Sequence, residues 1–247
     1  MKNIPIIRKI YDFEFEVFKT HNEGSVDFAA LILAVARKLL DASSRMEVLN
    51  IDKAMEPFLM VEVGKNSRAN IFISSNKYVS ISFPFNIKYK QGYVKLYIDK
   101  HGTEIRSDII SECLSIVNEL KHDGTFVDVW FESDEPYSEM SLRIVEYLLH
   151  SEPCYLRYDY DMAKANGSLH PVHHLDINMT KGGHYKIGLH KKLSHKQFLD
   201  ILNIETNCYY LSPIMVNTGL IKKSVNEKSK FKCMKELLII PNASNHD

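Results

Sequence analysis

The residues best suited to chemistry lie between Arg157 and His195. Six of the eleven histidines, His170, His173, His174, His184, His190 and His195, fall within a stretch of 26 residues. Two strand-like runs frame the first three of them, Tyr155-Leu-Arg-Tyr-Asp-Tyr160 and His174-Leu-Asp-Ile-Asn178. Alternate residues of a strand share a face. Arg157, Asp159 and Asp161 therefore point one way, and so do His174 and Asp176. Pairing of the two strands would bring Arg157 or Asp159 close to His174 or Asp176. One imidazole with two carboxylates suits a divalent cation or an acid–base pair. The candidate catalytic set is Arg157, Asp159, His170, His174 and Asp176, with His174 and Asp176 as the candidate ligands of a divalent metal. The competing reading is a set of polar residues on the wet face of a sheet. His-Pro-Val-His-His contains neither HExxH nor an alternating HxHxH, and an unpatterned histidine run is compositional only. His184, His190 and His195 read as turn, strand-end and helix-start residues of a lysine-rich region.

Three other groupings carry a chemical alternative. Arg143 and His150 are seven residues apart on an expected helix, nearly on one face. Their spacing resembles the Arg-x4-6-His signature of the HEPN ribonucleases. That resemblance implies a proton-transferring His150, a phosphate-stabilising Arg143 and an all-helical fold. The acidic run Glu132-Ser-Asp-Glu135 follows a Trp130-containing strand and could hold magnesium, although acidic residues ahead of a helix commonly serve its N-terminal dipole. The lysines of the C-terminal quarter, with Tyr185, Tyr209 and Tyr210, would suit single-stranded nucleic acid. That stretch has no arginine, the usual residue for phosphate and base readout, so solvated lysines are the plainer reading.

The elements that must position these residues follow from periodicity. Ser25 looks like an N-cap, with Phe28, Leu31, Ile32, Val35 and Leu39 forming the stripe of a helix ending near Ala42. Residues 58–63, 70–73, 78–83 and 93–98 are β-branched and aromatic runs separated by turn signals, an antiparallel meander with one wet face. A helix carrying Ile105, Ile109, Ile110, Cys113, Ile116, Val117 and Leu120 ends at Asp123-Gly124. A strand over 126–131 and a helix from Pro136 to His150 come next. The two framing strands follow, then a further strand at Tyr185–Leu189. Ser194-His-Lys-Gln197 is a capping-box pattern opening a final helix with Phe198, Ile201 and Leu202 inward. Strands come in runs rather than in βαβ alternation, so the expected class is α+β, with antiparallel sheet and helices packed on one side.

The order Tyr-Leu-Arg157-Tyr158-Asp159-Tyr160, then His170-Pro171-Val-His-His174-Leu175-Asp-Ile177, then Ser194-His-Lys-Gln-Phe198 resembles a bacterial domain-of-unknown-function family, number 2290 in that series. The resemblance covers about fifty residues. It implies a bacterial origin and no mechanism, and it singles out Arg157, Asp159, His170 and His174 as members of one pattern. His173 and the Gly182-Gly183 turn depart from it.

Composition narrows the classes. The chain has 247 residues, 25% charged, with zero formal net charge, so nothing pulls it globally toward nucleic acid or membrane. Charge is nonetheless polarised. Residues 180–235 hold 11 Lys and 3 acidic residues, while residues 1–179 hold 20 basic and 26 acidic ones. The four cysteines are widely spaced, which argues against a zinc ribbon or a disulfide framework. No apolar run reaches the roughly 18 residues of a membrane span, and the N-terminus is too charged for a signal peptide. A cytoplasmic protein follows by elimination. We expect one α+β domain over residues 1–220, with a subdivision possible near 100–123, and a Lys-rich tail over 221–247. The leading expectation for function is a binding or accessory role, with a protein partner in an operon-encoded complex such as a phage-defence or toxin-like system. The alternatives are a metal-dependent hydrolase or nuclease built on Arg157, Asp159, His170 and His174, and a HEPN-like ribonuclease built on Arg143 and His150.

Overall fold

The computed structural model describes residues 5–18, 24–45, 51, 57–64, 67–90, 93–98, 102–122, 125, 137–167, 169–178 and 185–203. The chain divides into Met1–Leu211 and Ser212–Asp247. The described residues all belong to the first unit. The expected strand at 126–131, the acidic run at 132–135 and the tail beyond residue 220 lie outside them.

Among the described residues, ten strands form two antiparallel sheets. They are β1 (Ile6–Lys9), β2 (Phe58–Glu62), β3 (Arg68–Ser74), β4 (Lys77–Ser82), β5 (Asn86–Lys90), β6 (Tyr93–Tyr97), β7 (Glu104–Ile105), β8 (Leu156–Tyr160), β9 (His173–Ile177) and β10 (Tyr185–Leu189). The larger sheet has the order β1-β2-β3-β4-β8-β9-β10 and the smaller β5-β6-β7. The helices are α1 (Phe15–Phe18), α2 (Ser25–Leu40), α3 (Ser107–Lys121), α4 (Glu139–Leu149) and α5 (His195–Leu202). Among the described residues no helix is long and apolar enough to cross a membrane. The mixed α+β class is as expected. β1, β5 and β7 are added to the expected strands.

Local physics sets the boundaries. The N-cap of α2 is Gly24 rather than Ser25, and Asp27 in the first turn offers negative charge to the helix dipole. Ile105 belongs to β7, opposite Leu96, so α3 begins two residues later. The helix expected from Pro136 starts at Glu139, where the Ser138 hydroxyl accepts the Ser141 N–H. At α5 the capping box forms as read, Ser194 and Gln197 satisfying each other's backbone N–H groups.

Both faces of the central strands are covered, which explains the near-continuous apolar run of β2. On one face Leu59, Val61, Ala69, Ile71, Val79 and Ile81 meet the stripes of α2, α3 and α4. On the other Phe58, Phe72, Tyr78, Tyr158 and Leu175 pack with Phe198 and Leu199 of α5. The three longer helices thus share one side, and the short last helix seals the other. Each fully buried Leu or Phe of these layers stabilises by about 1.5–3 kcal/mol.

Candidate functional site

The helix-side face changes character where β4 meets β8. Val79 of β4 is opposite Arg157, Arg157 is opposite Asp176, and Asp176 is opposite Lys186. One step along, Lys77 is opposite Asp159, Asp159 opposite His174, and His174 opposite Gly188. Cross-strand partners share a face. Two parallel rows therefore run across four strands, Lys77–Asp159–His174–Gly188 and Val79–Arg157–Asp176–Lys186. The apolar helix-side core continues into five charged groups around one imidazole. The reverse side of the same strands stays apolar: Tyr78 and Tyr158 stack at 5.0 Å.

At the centre Asp176 is fully buried and His174 is 1% exposed. Arg157 donates from Nε to Asp159 Oδ2 at 2.6 Å and from its terminal nitrogen to Asp176 Oδ2, spanning both carboxylates. Lys186 Nζ donates to Asp176 Oδ1 at 2.6 Å and lies 3.4 Å from His174 Nε2. His174 Nε2 in turn stands 3.9 Å from Asp159 Oδ2 and 3.7 Å from Asp176 Oδ2. Burial outweighs the nearby carboxylates and holds His174 below the ordinary imidazole range, so the ring is neutral at pH 7. Its Nδ1 lies 2.8 Å from the Pro171 carbonyl oxygen. A carbonyl only accepts, so the proton sits on Nδ1 and the Nε2 lone pair can accept from Lys186 Nζ, with the two carboxylates close by. Burial by itself would lower Arg157, but Tyr155, Asp159 and Asp176 outweigh it and hold the guanidinium charged. Burial pushes Lys77 down from the ordinary lysine range.

Pro171 is itself held in place. It packs on Gly188, where an added Cβ would stand 3.0 Å from Pro171 Cγ. The bare backbone of β10 lets the proline ring approach closely, and this seats the carbonyl that orients His174.

These donors meet the requirements of a divalent cation. One ligand atom each from Asp159, His174 and Asp176 lies within 4.8 Å of the other two. Ligands at about 2.1 Å from one ion stand roughly 3.0–3.5 Å apart, so the widest pair would close by up to about 1.8 Å, shared between two side chains. A neutral imidazole with its other nitrogen tied to a backbone carbonyl is the usual arrangement of a metal-binding histidine. Two carboxylates with one imidazole favour Mn²⁺, Mg²⁺ or Zn²⁺ over softer ions.

The expected site residues separate cleanly. Arg157, Asp159, His174 and Asp176 converge. His170 is adjacent rather than central: its ring packs edge-on against His174 with centroids 4.7 Å apart. Its Nε2 is buried without a hydrogen-bond partner, 3.9 Å from Asp161 Oδ2. His173 faces the opposite side, its Nδ1 2.9 Å from the Tyr158 hydroxyl, and His195 is buried among Phe58, Phe72 and Tyr78. Lys77 and Lys186 are the members that the sequence reading missed. The Tyr185–Leu189 strand contained the signal for Lys186, because its register on β9 fixes Lys186 opposite Asp176. Arg143 and His150 are both exposed and engaged within α4, Arg143 with Glu139 at 2.5 Å and His150 Nδ1 with the Glu146 carbonyl oxygen at 2.9 Å. The fold around them is not the all-helical one that the HEPN resemblance implies. A groove of about 420 Å³ lined by Phe13, Val17, Ala34 and Lys38 shares no residue with the cluster.

Comparison with family models, with curated proteins and with solved structures finds no match to this chain.

Proposed function

We propose that Asp159, His174 and Asp176 bind a divalent cation and that the protein is a metal-dependent hydrolase. The observation that carries this reading is the His174 tautomer. A neutral ring leaves its Nε2 unprotonated within 4 Å of two carboxylate oxygens because Pro171 holds the opposite nitrogen. The ion would polarise a substrate oxygen and lower the pKa of a bound water toward neutrality. Lys186 and Arg157 stand beside it to stabilise negative charge that develops in the transition state. Elemental analysis of purified protein, with a hydrolysis screen of ester, amide and phosphoester substrates, tests the reading. Hydrolysis that depends on added Mn²⁺ and disappears in Asp159→Ala supports it. A metal-free, inactive protein with every ion restored sinks it.

A structural reading is favoured by a different observation. The charges of Arg157 and Lys186 offset those of Asp159 and Asp176, and both ion pairs on Asp176 are made. On that reading the network cross-links β8, β9 and β10 within a binding or accessory module. Added Mn²⁺ would then leave the melting temperature unchanged, whereas a bound ion raises it by mass action.

A further inference from the structure

The charge count at this site goes further than the metal. Asp159 and Asp176 contribute −2, and Lys77, Arg157 and Lys186 contribute +3, so with His174 neutral, as a ligating imidazole must be, the cluster holds +1. A divalent cation on the three donors would raise it to +3. That surplus would sit where Asp176 is fully buried and the side chain of Arg157 is only 16% exposed. Uncompensated charge in such surroundings weakens the hold on the metal. A dianion beside the ion returns the count to +1.

The cations are placed to receive one. Lys77 and Lys186 stand at opposite ends of the two rows and Arg157 lies between them. Arg157 bridges Asp159 and Asp176 and Lys186 holds Asp176, so a metal on those carboxylates would release a planar fork and a compact point charge toward phosphoryl oxygens. The Nε2 of His170, beside His174, is buried and makes no hydrogen bond, with Asp161 Oδ2 3.9 Å away. We propose that the site takes its divalent cation together with the phosphoryl dianion of a phosphomonoester, which is the substrate class of the hydrolase. This inference rests on the metal reading above. In the hydrolysis the water oxygen forms a bond to phosphorus and the ester P–O bond breaks. One water proton leaves with the alcohol, and the other stays on the phosphate.

The test is a titration of the full chain with Mn²⁺, with and without phenyl phosphate, and with sulfate as the control dianion. Phenyl phosphate should tighten Mn²⁺ binding by about tenfold, within the usual range of coupling between two ligands. Sulfate carries the same charge on much less basic oxygens, which are poorer ligands for Mn²⁺, and should tighten it far less. Lys186→Ala should bind Mn²⁺ alone at least as tightly as the wild type, because a repelling charge is gone, yet lose the coupling. Lys77→Ala should behave likewise and serves if Lys186→Ala does not fold. Lys186→Arg should keep the coupling. Mn²⁺ binding that is indifferent to phenyl phosphate, or that sulfate tightens equally, overturns the phosphoryl assignment and leaves the metal reading standing. Failure to bind Mn²⁺ under either condition overturns the metal reading itself.

Discussion

Gly188 offers a test of how the site is held that touches none of its ligands. In Gly188→Ala the new Cβ would lie 3.0 Å from Pro171 Cγ and 3.4 Å from Pro171 Cβ. Carbon pairs rest at about 3.5–4.0 Å, so the proline ring must retreat by roughly half an ångström or more. Overpacking of this size costs about 1–3 kcal/mol, and Pro171 is only partly buried, so the low end applies. For a domain of this size that is a fall in Tm of about 2–4 °C per kcal/mol. The larger effect is on His174, whose Nδ1–H donates to the displaced carbonyl oxygen at 2.8 Å. Loss of such an orienting partner lowers metal affinity about 10–100-fold. Calorimetric titration with Mn²⁺ and a thermal melt read the two effects separately. Ser111→Ala, at an exposed position of α3, is the control. Adding Pro171→Ala to Gly188→Ala relieves the clash and should recover part of the affinity, which makes the pair a double-mutant cycle. A Tm drop of the expected size with unchanged Mn²⁺ affinity would refute the claim that the Pro171 carbonyl sets the ring.

Three further outcomes follow from the same structure. Burial places the folded-state pKa of His174 below its unfolded value of about 6.5, so the unfolded chain binds more protons between the two. The stabilising contribution is present above that value and is lost as pH falls through the folded pKa. Urea unfolding between neutral and mildly acidic pH should show a shallower loss in His174→Gln than in the wild type; equal slopes would contradict the assignment. Ser194→Ala removes one half of the α5 capping box and should cost about 1 kcal/mol by denaturant titration, with Ser111→Ala near neutral. Cys113 is fully buried and its thiol is pushed up to about 12 by burial, so alkylation at mildly alkaline pH should modify exposed Cys154 and spare Cys113 until denaturant is added.

The sequence was most legible where periodicity and burial coincide. Val79 and Ile81 alternate toward the helices, and Phe198 follows a capping box, so β4 and α5 could be placed from local pattern alone. The facing of Arg157, Asp159, His174 and Asp176 was legible too, because alternation fixes which residues share a side once β8 and β9 pair. The junction of β4 with β8 was not. Lys77 and Asp159 are far apart in the chain, and no local rule pairs them. That junction brings Lys77 to the site and aligns the polar rows with the helix-covered apolar face. Lys186 was hidden for another reason: in a lysine-rich stretch one edge-strand lysine paired with a buried carboxylate looks like its solvated neighbours. His173 and His195 have the same composition signal as His174 yet meet aromatic rings instead, His173 because one residue along a strand reverses the face and His195 because it opens α5.

His174→Ala is the most direct test of the central claim, because it removes a ligand without changing the charge of the network. The account predicts that the wild-type chain binds one Mn²⁺ in the presence of phenyl phosphate, and that His174→Ala, still folded by thermal melt, binds it at least tenfold more weakly. Equal affinity in the folded variant, or no binding in the wild type, would contradict it.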